Sequence, residues 1–251
     1  MNIRHITALL PALLLLWGPA TRAAINVDRT RIIMDSKVKS LSVELSNEST
    51  TLPYLAQAWV EDAQGKRSNQ IVALPPLQRI DAGQKSQVRI MQVRGGGTDR
   101  LPQDRETLFY FKVKEIPPKP EETGANILQM ALQSRLKLFF RPTAIAKPFG
   151  DTSERRLIVL RNGEHVTLKN PTPYYISVIW MGRTAAQSLK GFSQDTMVPP
   201  YSDLPLQAIL PRGDDGLYVG YIDDFGGMKL NHYRCRTGQC TFDTVQHTDS
   251  Q

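Results

Sequence analysis

The sequence predicts an all-β protein built from two sandwich domains. Three observations carry that expectation: apolar residues recur with period two in short runs, helical periodicity is nearly absent, and turn formers are plentiful, with 17 Gly and 17 Pro among 251 residues. Alternation with period two sends successive side chains to opposite faces of a strand. Proline at this level favours turns over long helices. With 41% hydrophobic and 22% charged residues the composition is that of a globular chain, which excludes collagenous, coiled-coil and disordered classes. The net charge of +7 contains no run of five or six like charges; it admits an acidic partner without pointing to nucleic acid.

The chain opens on a leader pattern. Arg4 and His5 precede an apolar stretch from Ile6 to Trp17, followed by small residues at Pro19–Ala20 and Ala23–Ala24. This is the order of a secretory signal peptide over residues 1–23, with cleavage expected after Ala23 and an uncleaved anchor as the alternative. The stretch falls short of the roughly 20 residues that span a bilayer, and no later stretch is longer. An exported protein without membrane insertion is expected.

The strands follow in order. Leu41, Val43 and Leu45 alternate with Ser40, Ser42 and Glu44, and Tyr54, Ala56, Ala58 and Val60 oppose Leu55, Gln57 and Trp59. Val88 and Ile90 share a face, and Phe109, Phe111 and Val113 oppose Leu108 and Tyr110. Asn126 to Phe140 reads as one long strand, with Leu128, Met130 and Leu132 on one face and Ile127 and Ala131 among glutamines on the other. A strand apolar on both faces is either buried between layers or an edge whose apolar face meets a partner. Arg141–Gly150, with Pro142 and Pro148, reads as a linker. Beyond it, Ile176, Val178 and Trp180 line one face of a strand and Tyr175, Ser177 and Ile179 the other. Leu217, Val219 and Tyr221 begin a further strand before Gly226-Gly227. The expected domains are therefore 24–144 and 145–251, each close to the about 100 residues of an immunoglobulin-like sandwich.

No catalytic constellation emerges. Gly213-Asp214-Asp215-Gly216 lacks the serine of a protease loop, and after the leader no histidine precedes His165. Gly95-Gly96-Gly97 lacks the Lys-Ser/Thr of a phosphate loop, and Arg212-Gly213-Asp214 reads as a turn. A non-enzymatic protein without cofactor is expected. Cys235 and Cys240 favour a local disulfide in an exported chain, contributing about 2 kcal/mol on the chain-entropy model. A metal site with His232 and His247 is the alternative, at a spacing that fits no familiar zinc pattern.

Several segments carry a family resemblance. LPQDRETLFYFKVKEIPP at 101–118 is the most specific, supported by VDRTR at 27–31, LPYLAQAWVED at 52–62 and LQMALQSRLKLFFRP at 128–142. In the second half NPTPYY at 170–175, YIDDFGG at 221–227 and the late cysteine pair agree with it. Together they resemble the periplasmic pilus (fimbrial) chaperones, the P-pilus kind in particular, across nearly all of the chain after the leader. Lys112 departs from the pattern, which usually has Asn there, and a local effect alone is expected.

The resemblance implies two immunoglobulin-like domains in a boomerang arrangement around a cleft. It further implies a periplasmic chaperone that acts without cofactor or ATP on pilin subunits, including any tip adhesin. Such a chaperone donates a strand to a subunit that lacks one. Leu128, Met130 and Leu132 would fill the subunit's groove, with Asn126 at the next alternate position. Arg31 and Lys137 would anchor the subunit's C-terminal carboxylate. Glu106, Arg141 and Asp224 would form an ionic cluster between the domains, and Pro53 and Pro75 a patch for the outer-membrane usher. The free chaperone is compatible with a dimer that caps its own strand. The short segment from Pro117 to Gly124 resembles the branch of the family that serves thick, rod-like pili. An exported immunoglobulin-like adhesin or structural fibre subunit is the alternative. Strict alternation sets Lys137 opposite Leu128, Met130 and Leu132, so a twist or bulge, or approach from an adjacent surface, is expected.

Overall fold

The structure, a computed structural model, describes residues 24–93, 95–119, 130–211 and 216–245. The leader, Asn126, Leu128, His247 and the Arg212-Gly213-Asp214 tripeptide lie outside the described residues. Among the described residues no helix is long and apolar enough to cross a membrane.

Among the described residues the first domain holds nine strands: β1 (Ile25–Val27), β2 (Arg31–Asp35), β3 (Ser40–Asn47), β4 (Tyr54–Asp62), β5 (Ile71–Leu74), β6 (Leu77–Ile80), β7 (Lys85–Gln92), β8 (Thr107–Ile116) and β9 (Gln133–Arg141). They form two sheets, β1-β3-β7-β5 and β2-β9-β8-β4-β6. Their inward rows, among them Val43, Leu45, Ala56, Val88, Ile90, Phe111 and Leu138, close one apolar core. The second domain holds β10 (Ile158–Asn162), β11 (His165–Asn170), β12 (Ile176–Gly182), β13 (Thr196–Val198), β14 (Ser202–Ile209), β15 (Gly216–Ile222), β16 (Met228–Arg236) and β17 (Gln239–Val245). These follow one another in a single ladder, β13-β12-β15-β16-β17-β10-β11-β14. The ladder curls round its own core of Val159, Leu168, Val178, Val219 and Tyr233. The molecule is all-β with two domains, as the alternation predicts.

Three local expectations need correction. The pairing of β12 with β15 shifts register between Val178 and Trp180. The extra residue moves the alternation on by one, so Met181 enters the core while Trp180 stays half-buried. The strand expected from Asn126 begins, among the described residues, only at Gln133, and Met130 and Leu132 precede it. Its partner runs out there: β8 ends at Ile116, and Pro117 and Pro118 carry no N–H to continue the ladder. Finally, β9 contains no bulge, since its registers with β8 and β2 run unbroken through Lys137. Lys137 lies opposite the leucine row because the two faces of β9 serve different surroundings.

Cys235 and Cys240 are joined across the β16–β17 hairpin with Cα atoms 3.9 Å apart. The thiolates needed for the metal alternative are therefore consumed. Among the described residues no cluster of ligating side chains could hold a metal.

Candidate functional site

The site grows from β9. Leu136, Leu138 and Phe140 form its inward row and pack into the first domain's core. Met130 and Leu132 continue the even-numbered row past the start of the strand, where they are 66% and 47% exposed. One edge of β9 pairs with β8 from Gln133 onward. The other pairs with β2, but only from Lys137, which sits opposite Arg31, to Arg141 opposite Asp35. Residues 133–136 thus keep an open edge among the described residues. An added strand there would lie in line with β2, ahead of Arg31.

The outward row of β9 meets the second domain. Phe139 stacks on Tyr175 of that domain with ring centroids 5.5 Å apart, and the Arg31 guanidinium lies 5.9 Å from the Phe139 ring centre. Arg31 Nη1 donates to the Ile222 carbonyl at 3.0 Å. Its Nε is buried with no partner among the described residues. The side chain of Lys137, in the neighbouring register position, makes no hydrogen bond or ion pair with a described residue. Neighbouring strands lie about 4.8 Å apart, so the two cations share one small region. Burial pushes the Arg31 guanidinium down, an effect that the carboxylates of Asp224 and Asp223 partly offset. Burial, and then the charge of Arg31, push the Lys137 ammonium down, an effect that the charge of Asp195 partly offsets. Two half-buried cations without a carboxylate in contact form an electrostatic deficit that an incoming anion removes.

Four residues further along β9 the opposite holds. Arg141, 6% exposed, donates through Nε to Glu106 Oε1 at 2.8 Å. Through Nη1 and Nη2 it donates to both oxygens of Asp224, at 2.7 and 3.0 Å. The second Glu106 oxygen accepts the Tyr175 N–H at 2.8 Å. Lys147 pairs with Glu154 and lies 3.6 Å from Asp224. Burial opposes the charge of Arg141, but its hydrogen bonds and the two carboxylates outweigh that and raise its pKa. Burial also opposes ionisation of Asp224; the Arg141 hydrogen bond and charge prevail and hold it below the ordinary value. Glu106 is raised, because burial outweighs the pull of Arg141. The structure therefore brings Glu106, Arg141 and Asp224 into direct contact across the domain junction.

With that geometry in hand, comparison with known proteins is decisive. A family model described as "Pili and flagellar-assembly chaperone, PapD N-terminal domain" matches residues 24–146, and one described as "Pili assembly chaperone PapD, C-terminal domain" matches residues 152–233. The chain belongs to the pilus-assembly chaperone family. It is 41% identical to the "Uncharacterized fimbrial chaperone YbgP" of Escherichia coli K12, over 94% of this chain and 97% of that one. It is 38% identical to the "Chaperone protein PapD" of Escherichia coli, over 87% and 90%. Among solved structures it resembles one of the Salmonella enterica SafA pilin in complex with the SafB chaperone, at 28% identity and a TM-score of 0.72, covering 86% and 98%. The family is one of chaperones, not enzymes.

Lys112 Nζ lies 2.7 Å from Glu61, whose other oxygen accepts the Trp59 indole N–H at 2.7 Å. The lysine thus completes a polar group on the outer face of the β4–β8 pair. Pro53 and Pro75 do not come together: Pro53 immediately precedes Tyr54, while Pro75 lies beyond Leu77, at opposite ends of the β4–β6 ladder. Pro75 lines a groove of about 400 Å³ with Leu74, Ser42, Gln87, Arg89 and Met91. Reading the sequence alone missed Phe139, Tyr175, Lys147 and Glu154. The Phe139-Phe140 and Tyr174-Tyr175 doublets were the available signal, since they break alternation where two domains cover both faces.

Proposed function

We propose that this protein is an exported, periplasmic chaperone that binds pilin subunits, completes their fold by donating β9 and its preceding segment, and passes them to an outer-membrane usher. The observation that carries this reading is the open edge of β9 leading straight to Arg31 and Lys137. A partner strand paired along residues 133–136 and running parallel to β9, as β2 does, would end at these two cations. There its terminal carboxylate would find paired donors, one a planar fork and the other a mobile ammonium. Register follows from this end stop, because a one-residue slip would turn every apolar side chain to the wrong face.

Leu128, Met130 and Leu132, with Asn126 beyond them, are proposed to fill the groove of the incomplete subunit. Met130 and Leu132 already extend the host's own core row, so the merged structure would share one continuous apolar layer. Each buried side chain would contribute about 1.5–3 kcal/mol before ordering costs. Backbone pairing makes little demand on sequence, which suits a chaperone for several related subunits. The Glu106–Arg141–Asp224 cluster is proposed to set the angle between domains, and Pro53 and Pro75 to contribute to usher docking at separate points.

Co-expression with a pilin subunit, followed by periplasmic fractionation and affinity purification, tests this reading. A one-to-one complex in the soluble periplasm, with the chaperone absent from purified fibres, is expected. Recovery of this chain as a stoichiometric part of the fibre would overturn it in favour of an adhesin or fibre subunit.

A further inference from the structure

One further buried carboxylate has no cation beside it among the described residues. Glu115 sits on the inward row of β8, is 6% exposed, and accepts the Ile25 N–H through Oε2 at 3.0 Å. Among the described residues it has no other hydrogen-bond donor and no cationic partner. A largely buried carboxylate held by a single neutral amide gains from a cation placed beside it. The adjoining backbone is held in place: Ala24 is 9% exposed, and its carbonyl accepts the Glu48 N–H at 2.7 Å. Successive backbone nitrogens lie about 3–3.7 Å apart, so the Ala24 nitrogen is one step from the amide that Glu115 already holds.

We propose that Glu115 is the receptor for the chain's own processed amino terminus, an α-ammonium on Ala24. This rests on the leader ending at Ala23. Hydrolysis of the Ala23–Ala24 amide by a leader peptidase adds water across that bond. It leaves a carboxylate on the leader and an amine on Ala24, mostly protonated at neutral pH. The new cation supplies the missing partner of Glu115 and ties down β1, which pairs with β3 over only Ile25–Val27. With the leader attached, an uncharged amide occupies that place and Glu115 has no ionic partner there. Processing therefore adds stability to the first domain that the precursor lacks.

The test compares the protein exported with its own leader, the same chain with one Gly inserted ahead of Ala24, the Glu115→Gln variant, and the combination. Intact mass should show a start at Ala24. At pH 7 either single change should lower the thermal midpoint by about 3 °C, and the combination should lower it no further. An amine stabilised in the folded state has a raised pKa. Its contribution is complete below the unfolded value of about 7.7–8.0 and disappears as pH rises through the folded value. The gap between the native and Gly-extended proteins should therefore close in alkali. A start at Ala24 with additive losses, or no loss on Gly insertion, overturns the receptor role alone. A start elsewhere overturns both that role and the leader reading. If Glu115→Gln fails to fold, the Gly-extended protein and its pH dependence still decide the matter.

Discussion

Arg141 and Lys137 lie four residues apart on the same face of the same strand, yet their surroundings differ in kind. Arg141 is locked by two carboxylates, one from each domain. Lys137 and its neighbour Arg31 have no carboxylate in contact among the described residues, and burial already presses against their charge. A saturated buried cation fixes structure; an unsaturated one is ready for a ligand. Four experiments break or sharpen that contrast.

Removing the saturated cation should do most damage. Arg141→Ala leaves Glu106 buried without its ionic partner, and loss of one member of a buried ion pair costs about 3–5 kcal/mol. Denaturant unfolding should show that loss even with no subunit present. Removing the unsaturated cation should act differently. Lys137→Ala should leave unfolding unchanged or slightly improved, yet weaken subunit binding by about 2–5 kcal/mol, roughly thirtyfold or more, in a titration with purified pilin. Equal losses of stability in the two variants would erase the distinction.

A smaller effect is expected at the junction itself. Gly226 has φ +85°, and a Cβ there would approach Thr30 Oγ1 to 2.4 Å. Gly226→Ala should cost about 1–2 kcal/mol through strain and contact together. Thr30→Ala in the same protein should restore part of that loss in thermal unfolding. The smallest effect is a pH dependence. Because Asp224 is held below its ordinary value, its contribution is present above the unfolded value of about 3.9 and lost as pH falls through the folded one. The stability gap between the native protein and Asp224→Asn should narrow on acidification, and one that widens would contradict the pairing.

Much of the architecture was legible because alternation is local. Val43 and Leu45, or Phe109 and Phe111, announce an inward row without knowledge of any partner strand. The sequence also marked Arg31, Lys137, Glu106, Arg141 and Asp224, but only through family resemblance, since a single charge in a pattern says nothing about what it faces. Three things were hidden for physical reasons. The bulge that gives Met181 the core place expected for Trp180's row is a property of pairing with β15, not of β12 alone. The late start of β9 follows from prolines in its partner, ten or more positions away in the chain. The continuation of the ion cluster to Lys147 and Glu154 needs a linker turn that carries no period.

The central claim is that the cation pair receives a chain end, and a chemically altered chain end tests it most directly. Affinity should be measured for a purified pilin subunit bearing its native C-terminal carboxylate and for the same subunit ending in an amide. The account predicts at least tenfold weaker binding of the amide to the native protein, with little difference between the two in Lys137→Met. Equal binding of both subunits by the native protein, or a preference that survives in Lys137→Met, would contradict it.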